Sequence, residues 1–137
     1  MGNKILPRYN AATHANVSAT TKPNRKTPTS VRLEVSVNDK ALRKTGHDFD
    51  GLEQAFALVP TRNKKNQIEW KRVEIPFANR YSDRGGNMYD IHSVSIKGTG
   101  IRTEDLKNLG VAYGLKTNSG EVWLQYADDN YKLPGGR

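Results

Sequence analysis

The chain has 137 residues, the mass of one domain, and with 35% hydrophobic residues and a mean hydropathy of −0.78 its core is thin unless a second chain shares it. Twenty-two Lys and Arg against 14 Asp and Glu leave a formal charge of +8, a field that favours an anionic partner, nucleic acid first and a membrane surface second. No apolar run approaches a membrane span, the opening MGNKILPRYN lacks the apolar centre of a signal peptide, and the absence of cysteine excludes disulfides and thiolate metal sites while permitting a reducing compartment.

Residues 1–29 form a polar, basic arm or hairpin. Lys4, Arg8, Lys22, Arg25 and Lys26 all precede the first acidic residue, Glu34, and Pro23 and Pro28 forbid a continuous helix. Ser30 to Val37 alternates, with Val31, Leu33, Val35 and Val37 on one face, which is the period of a half-buried strand. Asn38-Asp39 stops it, and residues 39–51 read as a loop or short helical turn. Glu53 to Val59 reads as a strand ended by Pro60, and Arg62 to Asn66 as a turn. Ile68 to Lys71 and Val73 to Ile75 alternate out of phase with each other, which predicts a β-bulge near Arg72. Arg80 to Gly86 reads as a polar loop. Met88 to Lys97 is the last strand, with His92, Val94 and Ile96 on one side and Tyr89, Ile91, Ser93, Ser95 and Lys97 on the other.

The period then changes. Thr103 is an N-cap with Glu104 and Asp105 in the first turn, and Leu106, Leu109, Ala112, Tyr113 and Lys116 follow at helical spacing. Glu121 to Tyr131 reads as a second helix anchored by Trp123, Tyr126 and Tyr131, although Val122, Leu124 and Tyr126 also alternate as a strand would. The fold class is therefore α+β: an N-terminal arm or hairpin, an antiparallel sheet over 30–97 and C-terminal helices over 103–131.

Signals for catalysis are poor. His14, His47 and His92 are far apart in a chain without cysteine, so no metal-ligand spacing is present. His47-Asp48-Phe49-Asp50 is the one local cluster able to seat a divalent cation or a general base, as in a small metal-dependent nuclease or toxin domain; a charged surface loop explains the same residues. Gly98-Thr99-Gly100 lacks the third glycine and the βαβ context of a phosphate loop and reads as a strand-to-helix turn. No catalytic site and no cofactor are expected. Signals for binding are better. Arg62, Lys64, Lys65, Lys71 and Arg72 place five positive charges in eleven residues against Glu69 alone, a density suited to neutralising phosphates. The Tyr89, Ser93, Ser95 and Lys97 face of the last strand is polar with one aromatic ring, a surface on which an unpaired base can stack. A monomeric RNA-binding module is one reading of this pattern.

The segment from residue 54 onward resembles the coat proteins of the small single-stranded RNA bacteriophages. The similarity lies in the basic hairpin Pro60-Thr61-Arg62-Asn63-Lys64-Lys65-Asn66, the alternating strand Gln67 to Pro76, a variable loop Phe77 to Asn87, the strand Met88 to Lys97 and the helix start Thr103-Glu104-Asp105. The resemblance implies a homodimer whose sheets join edge to edge, with the C-terminal helices of each chain lying across the partner's sheet and covering Trp70, Ile75, Val94 and Ile96. Such dimers close into an icosahedral shell around single-stranded genomic RNA, within a virion assembled in the bacterial host cytoplasm. It implies that Lys64, Asn66 and Lys71 face the RNA. It also implies a tyrosine on the last strand stacking on a base of an RNA hairpin, bound as translational repressor; Tyr89 has the matching parity, while counting back from the helix start puts Ile91 at the family's position.

Overall fold

The computed structural model describes residues 4–6, 13–38, 40, 52–117 and 120–124. Alternation decides most of what forms there. The strands are β1 (Lys4–Leu6), β2 (Thr13–Thr20), β3 (Ser30–Val37), β4 (Leu52–Arg62), β5 (Ile68–Ile75), β6 (Phe77–Ser82), β7 (Met88–Lys97), β8 (Ala112–Thr117) and β9 (Gly120–Leu124), and the helix α1 (Thr103–Leu109) lies between β7 and β8. They build two sheets, of strand order β1-β9-β8-β4-β5 and β2-β3-β7-β6. All pairings are antiparallel except that of β1 with β9. Among the described residues no helix is long and apolar enough to cross a membrane.

The two sheets bury their apolar faces on each other. Val31, Leu33, Val35 and Val37 of β3 are fully buried and meet Ala55, Ala57 and Val59 of β4, Val73 and Ile75 of β5, and Tyr113 and Leu115 of β8. Burying each Val or Leu of that row contributes about 1.5–3 kcal/mol relative to exposure. Val94 and Ile96 of β7 pack against the same cluster. Ile75 is thus fully covered within the chain, and Val94 and Ile96 are partly covered there, by packing between the two sheets. The hydroxyl of Tyr113 donates to the carbonyl of Asn16 across the two layers at 2.8 Å, and burial pushes its ionisation well above the usual tyrosine value. His92 accompanies the row: its Nδ1 lies 3.1 Å from the Ile75 carbonyl, the edge of Phe77 meets its ring, and burial holds its pKa below the ordinary value. The imidazole is therefore neutral at pH 7 and donates to that carbonyl.

The structure corrects several expectations. The antiparallel strands of 30–97 do not form one sheet; the chain leaves β3 for β4 and β5 in the opposing layer and returns with β6 and β7. Of the polar, basic arm or hairpin expected at 1–29, residues 13–20 form β2, whose partner lies beyond that segment: it pairs along all of β3, from Thr13↔Val37 to Thr20↔Ser30. Pro60 does not end β4. The β8 ladder on β4 stops at Leu58, so Pro60 sits where the strand has a neighbour on one side only and a missing N–H is tolerated. The bulge near Arg72 is absent, since β4 and β5 pair without a break from Ala55↔Ile75 to Arg62↔Ile68. The change of phase arises because β5 is apolar on both faces in turn. Val73 and Ile75 enter the core, whereas Ile68, Trp70 and Arg72 lie on the outer face, where the Arg72 guanidinium covers the ring of Phe56 at 3.9 Å. Bulges occur instead between Leu52 and Gln54 and between Phe77 and Asn79.

The loop expected over Arg80 to Gly86 is half strand, because residues 77–82 pair with β7. The C-terminal helix pair is replaced by a short helix and a hairpin. Gly110, at φ 72°, ends α1 by donating its N–H to the Leu106 carbonyl, and β8 then runs between β4 and β9. Its apparent helical spacing was that of a central strand buried on both faces: Val111 to Leu115 are all buried. Gly114 is required there, since a Cβ would lie 2.3 Å from the tip of the Phe56 ring. Residues 120–124 pair as a strand with β8; residues 125–131 of the expected second helix lie outside the described residues, as do residues 39 and 41–51 of the segment expected to be a loop or short helical turn.

Candidate nucleic-acid interface

Two hairpin turns share one chemical design. In Asn63-Lys64-Lys65-Asn66-Gln67 the Asn63 side-chain oxygen accepts from the backbone N–H of Lys65 at 2.9 Å and of Gln67 at 3.0 Å. In Asp83-Arg84-Gly85-Gly86-Asn87 the Asp83 carboxylate accepts from Gly85 and Asn87, both at 2.9 Å. The fourth residue of each has positive φ, Asn66 at 63° and Gly86 at 82°. These Asx-type bonds replace the ladder at the tip, and those to Asn87 and Gly85 hold the Asp83 carboxyl below its ordinary value. Because the side chains of Lys64 and Lys65 are not needed to build the first turn, both point into solvent.

That turn is fastened to two other connections. Arg62 N–H donates to the Gly100 carbonyl at 2.7 Å, Gly98 N–H to the Thr29 carbonyl at 3.2 Å, and Thr103 N–H to the Lys26 carbonyl at 3.0 Å. Arg102 Nη2 donates to the Asn66 side-chain oxygen at 3.1 Å. The 21–29 connection, the 63–67 turn and the 98–102 link thus form one hydrogen-bonded end of the sandwich. It carries Lys22, Arg25, Lys26, Lys64, Lys65 and Lys97, all exposed, together with Arg102. Its buried carboxylate is already neutralised. Arg62 grips Asp105 with two parallel bonds, from Nε and Nη2, each 2.8 Å, while its Nη1 donates to the Asn66 carbonyl at 3.0 Å.

Of the residues expected at an RNA surface, Arg62 and Asn66 hold this end together, and Lys64, Lys65 and Lys97 are displayed by it. Thr103 is not the N-cap: α1 begins on it, Arg102 occupies the cap without a side-chain bond, and Asp105 turns to Arg62 rather than to the helix N–H groups. Hydrogen bonding from Arg62 holds the Asp105 carboxyl below its ordinary 3.8, against the effect of burial, and the charges of Arg62 and Arg102 add to it. A carboxyl with a lowered pKa in the folded state supplies stability above its unfolded pKa and loses it as pH falls through the folded one. Asp105→Asn is therefore expected to lower stability at neutral pH and to flatten the acid limb of urea midpoints measured below the ordinary carboxylate value. An unaltered acid limb would assign the pH dependence elsewhere.

Lys71 lies further along the edge strand β5, opposite Val59 and exposed. Ser95 lies next to the cationic end on the face of Lys97, whereas Ser93 and Tyr89 lie progressively further from it. They run away from Lys97 along the outer face of the four-stranded sheet, Tyr89 being eight residues and so about 26 Å distant along the strand. The basic residues of the 21–29 connection were visible in the sequence as charge but not as neighbours of the 63–67 turn. Tyr81, opposite Tyr89 on β6, was hidden because its segment read as loop. His47, Asp48 and Asp50 lie outside the described residues, and among the described residues no three His, Cys, Asp or Glu side chains are grouped to hold a metal ion. No protein-family model matches the chain, and a search of the curated proteins finds no match.

Proposed function

We propose that this protein binds single-stranded RNA, taking the phosphate chain on the cationic end of the sandwich and leading it from Lys97 along the outer face of β7. The observation that carries this reading is the joining of three connections into one end where exposed Lys22, Arg25, Lys26, Lys64 and Lys65 meet while Asp105 is neutralised by Arg62. Such a surface attracts phosphate without reading sequence, and its affinity falls with salt by roughly 0.7 per contact on logarithmic axes for single strands. Titration of a labelled, unstructured oligoribonucleotide at several salt concentrations tests it. Binding that weakens steeply with salt supports the reading, and binding that ignores salt, or no binding at low salt, overturns it.

The second reading places this activity in a coat-type shell. It rests on the resemblance and on β6, whose six residues are all exposed and include Phe77 at 54% and Tyr81 at 56%, beside Met88 at 49%. An open sheet edge carrying exposed aromatic rings is a template for a second copy, so in this reading the RNA-bound form is a homodimer extended edge to edge and then a virion shell, assembled in a bacterial cytoplasm and able to bind an RNA hairpin as repressor. Light scattering separates the two: a shell has megadalton mass, and a monomeric RNA-binding module remains near 15.3 kDa.

A further inference from the structure

On the outer face of the four-stranded sheet a depression of about 340 Å³ opens between β3, β6 and β7. Its volume is at the low end of the ~300–1,000 Å³ of small-ligand sites, suited to one planar ring system rather than to a stretch of chain. Tyr81 stands on one side, 56% exposed, its ring beside that of Tyr89 with centroids 6.4 Å apart and planes 34° apart. Ile91 and Ser93 line the sheet surface between, and Arg32 and Glu34 of β3 face Tyr81 across it. Glu34 pairs with Ser93, and Arg32 with Ser95, in the strand register. Arg32 Nη2 lies 3.3 Å from the Glu34 carboxylate, and both side chains remain partly open to solvent, at 52% and 33%.

A carboxylate in this position repels phosphate, so the depression is not an extension of the cationic end. What it does accept is a neutral planar group with two adjacent donors. Guanine presents, in a row along one edge, the O6 acceptor and the N1–H and N2–H donors. The Arg32–Glu34 pair presents the complementary row, a guanidinium donor beside a carboxylate with two acceptor oxygens. Adenine, cytosine and uracil each put an acceptor where Glu34 requires a donor.

We infer that this depression holds one guanine base of the bound RNA, stacked on Tyr81, with its N1–H and N2–H donated to Glu34 and its O6 accepting from Arg32. The inference deepens the RNA reading and takes its polymer from it. The phosphate chain arrives along β7 from Lys97, and the base turns out of it onto the sheet, as unstacked bases do on aromatic platforms.

The test uses three oligouridylates of equal length carrying one central guanosine, inosine or adenosine. Guanosine is expected to bind roughly ten- to a hundredfold more tightly than adenosine, with inosine, which lacks the N2 amino group, in between. Tyr81→Ala and Glu34→Gln, both at partly or fully exposed positions, should abolish the preference with the circular dichroism spectrum unchanged. Lys64→Glu/Lys65→Glu should weaken all three RNAs alike. Equal affinity for the three overturns the base site and leaves the RNA reading intact. If no RNA binds, GMP and AMP are titrated against the Tyr81 ring resonances. A response to GMP alone then keeps the base site and removes the RNA reading; responses to both, or to neither, remove the base site as well.

Discussion

Reversing Lys64 and Lys65 together, as Lys64→Glu/Lys65→Glu, is expected to weaken the binding of unstructured RNA at low salt by about ten- to a hundredfold. Two lost phosphate contacts should also flatten the logarithmic salt slope by about 1.4. The physical reason is separation of roles. The turn that carries these lysines is built by Asn63, by Asn66 in its positive-φ conformation and by Arg62 and Arg102 reaching into it. The lysine side chains are exposed, so their reversal changes the field of the cationic end and not its shape. Thermal midpoints should stay within a degree or two of the parent. If the variant binds with unchanged affinity and slope, the phosphate path lies elsewhere; in an assembling protein the same change should deplete RNA from purified particles.

Gly98→Ala is expected to be the most damaging small substitution at that end. A Cβ on Gly98 would lie 1.8 Å from the carbonyl oxygen of Pro28 and 2.6 Å from its carbonyl carbon. These are backbone atoms of a buried residue, so the neighbour cannot rotate away. The 21–29 connection must separate from the 98–102 link, breaking the Gly98 to Thr29 and Thr103 to Lys26 bonds that fasten it. Overpacking of this kind costs about 3 kcal/mol, readable as a lower urea midpoint, and RNA affinity falls with it because Arg25 and Lys26 lose their place. Gly85→Ala is the control. Its Cβ would meet its nearest atoms at 3.5 Å in the other turn, and stability should change little. Should the two variants melt alike, the three connections are not packed as described.

The rows of alternating residues carried most of the sheet. Val31 to Val37 and His92 to Ile96 announce both their strands and their buried faces, because a side-chain period of two admits only one assignment when one face is polar. The turn at Arg62 to Asn66 was legible as well, whereas the Asx bonds that build it and its counterpart at Asp83 appear only in the structure. Legibility ends where a strand is apolar on both sides or covered by chance spacing. Trp70 and Ile68 pack outside while Val73 and Ile75 pack inside, so β5 read as broken; β8 lies between two neighbours with Gly114 under Phe56, so its residues fit a helical spacing as well as an extended one. The candidate site divides in the same way. Charge density around Arg62 to Arg72 and the polar face of β7 belong to the sequence.

By itself, then, the sequence determined a small basic chain, its alternating strands and the residues able to meet phosphate. Only the tertiary structure decided that the strands close into two facing layers within one chain, that Arg62 is bound to Asp105 rather than displayed, and that Tyr81 faces Glu34 and Arg32. Those facts depend on pairings between residues up to 97 positions apart, such as Tyr113 with Asn16. Local periodicity reports which way a side chain points; it carries no information about which distant strand arrives opposite it.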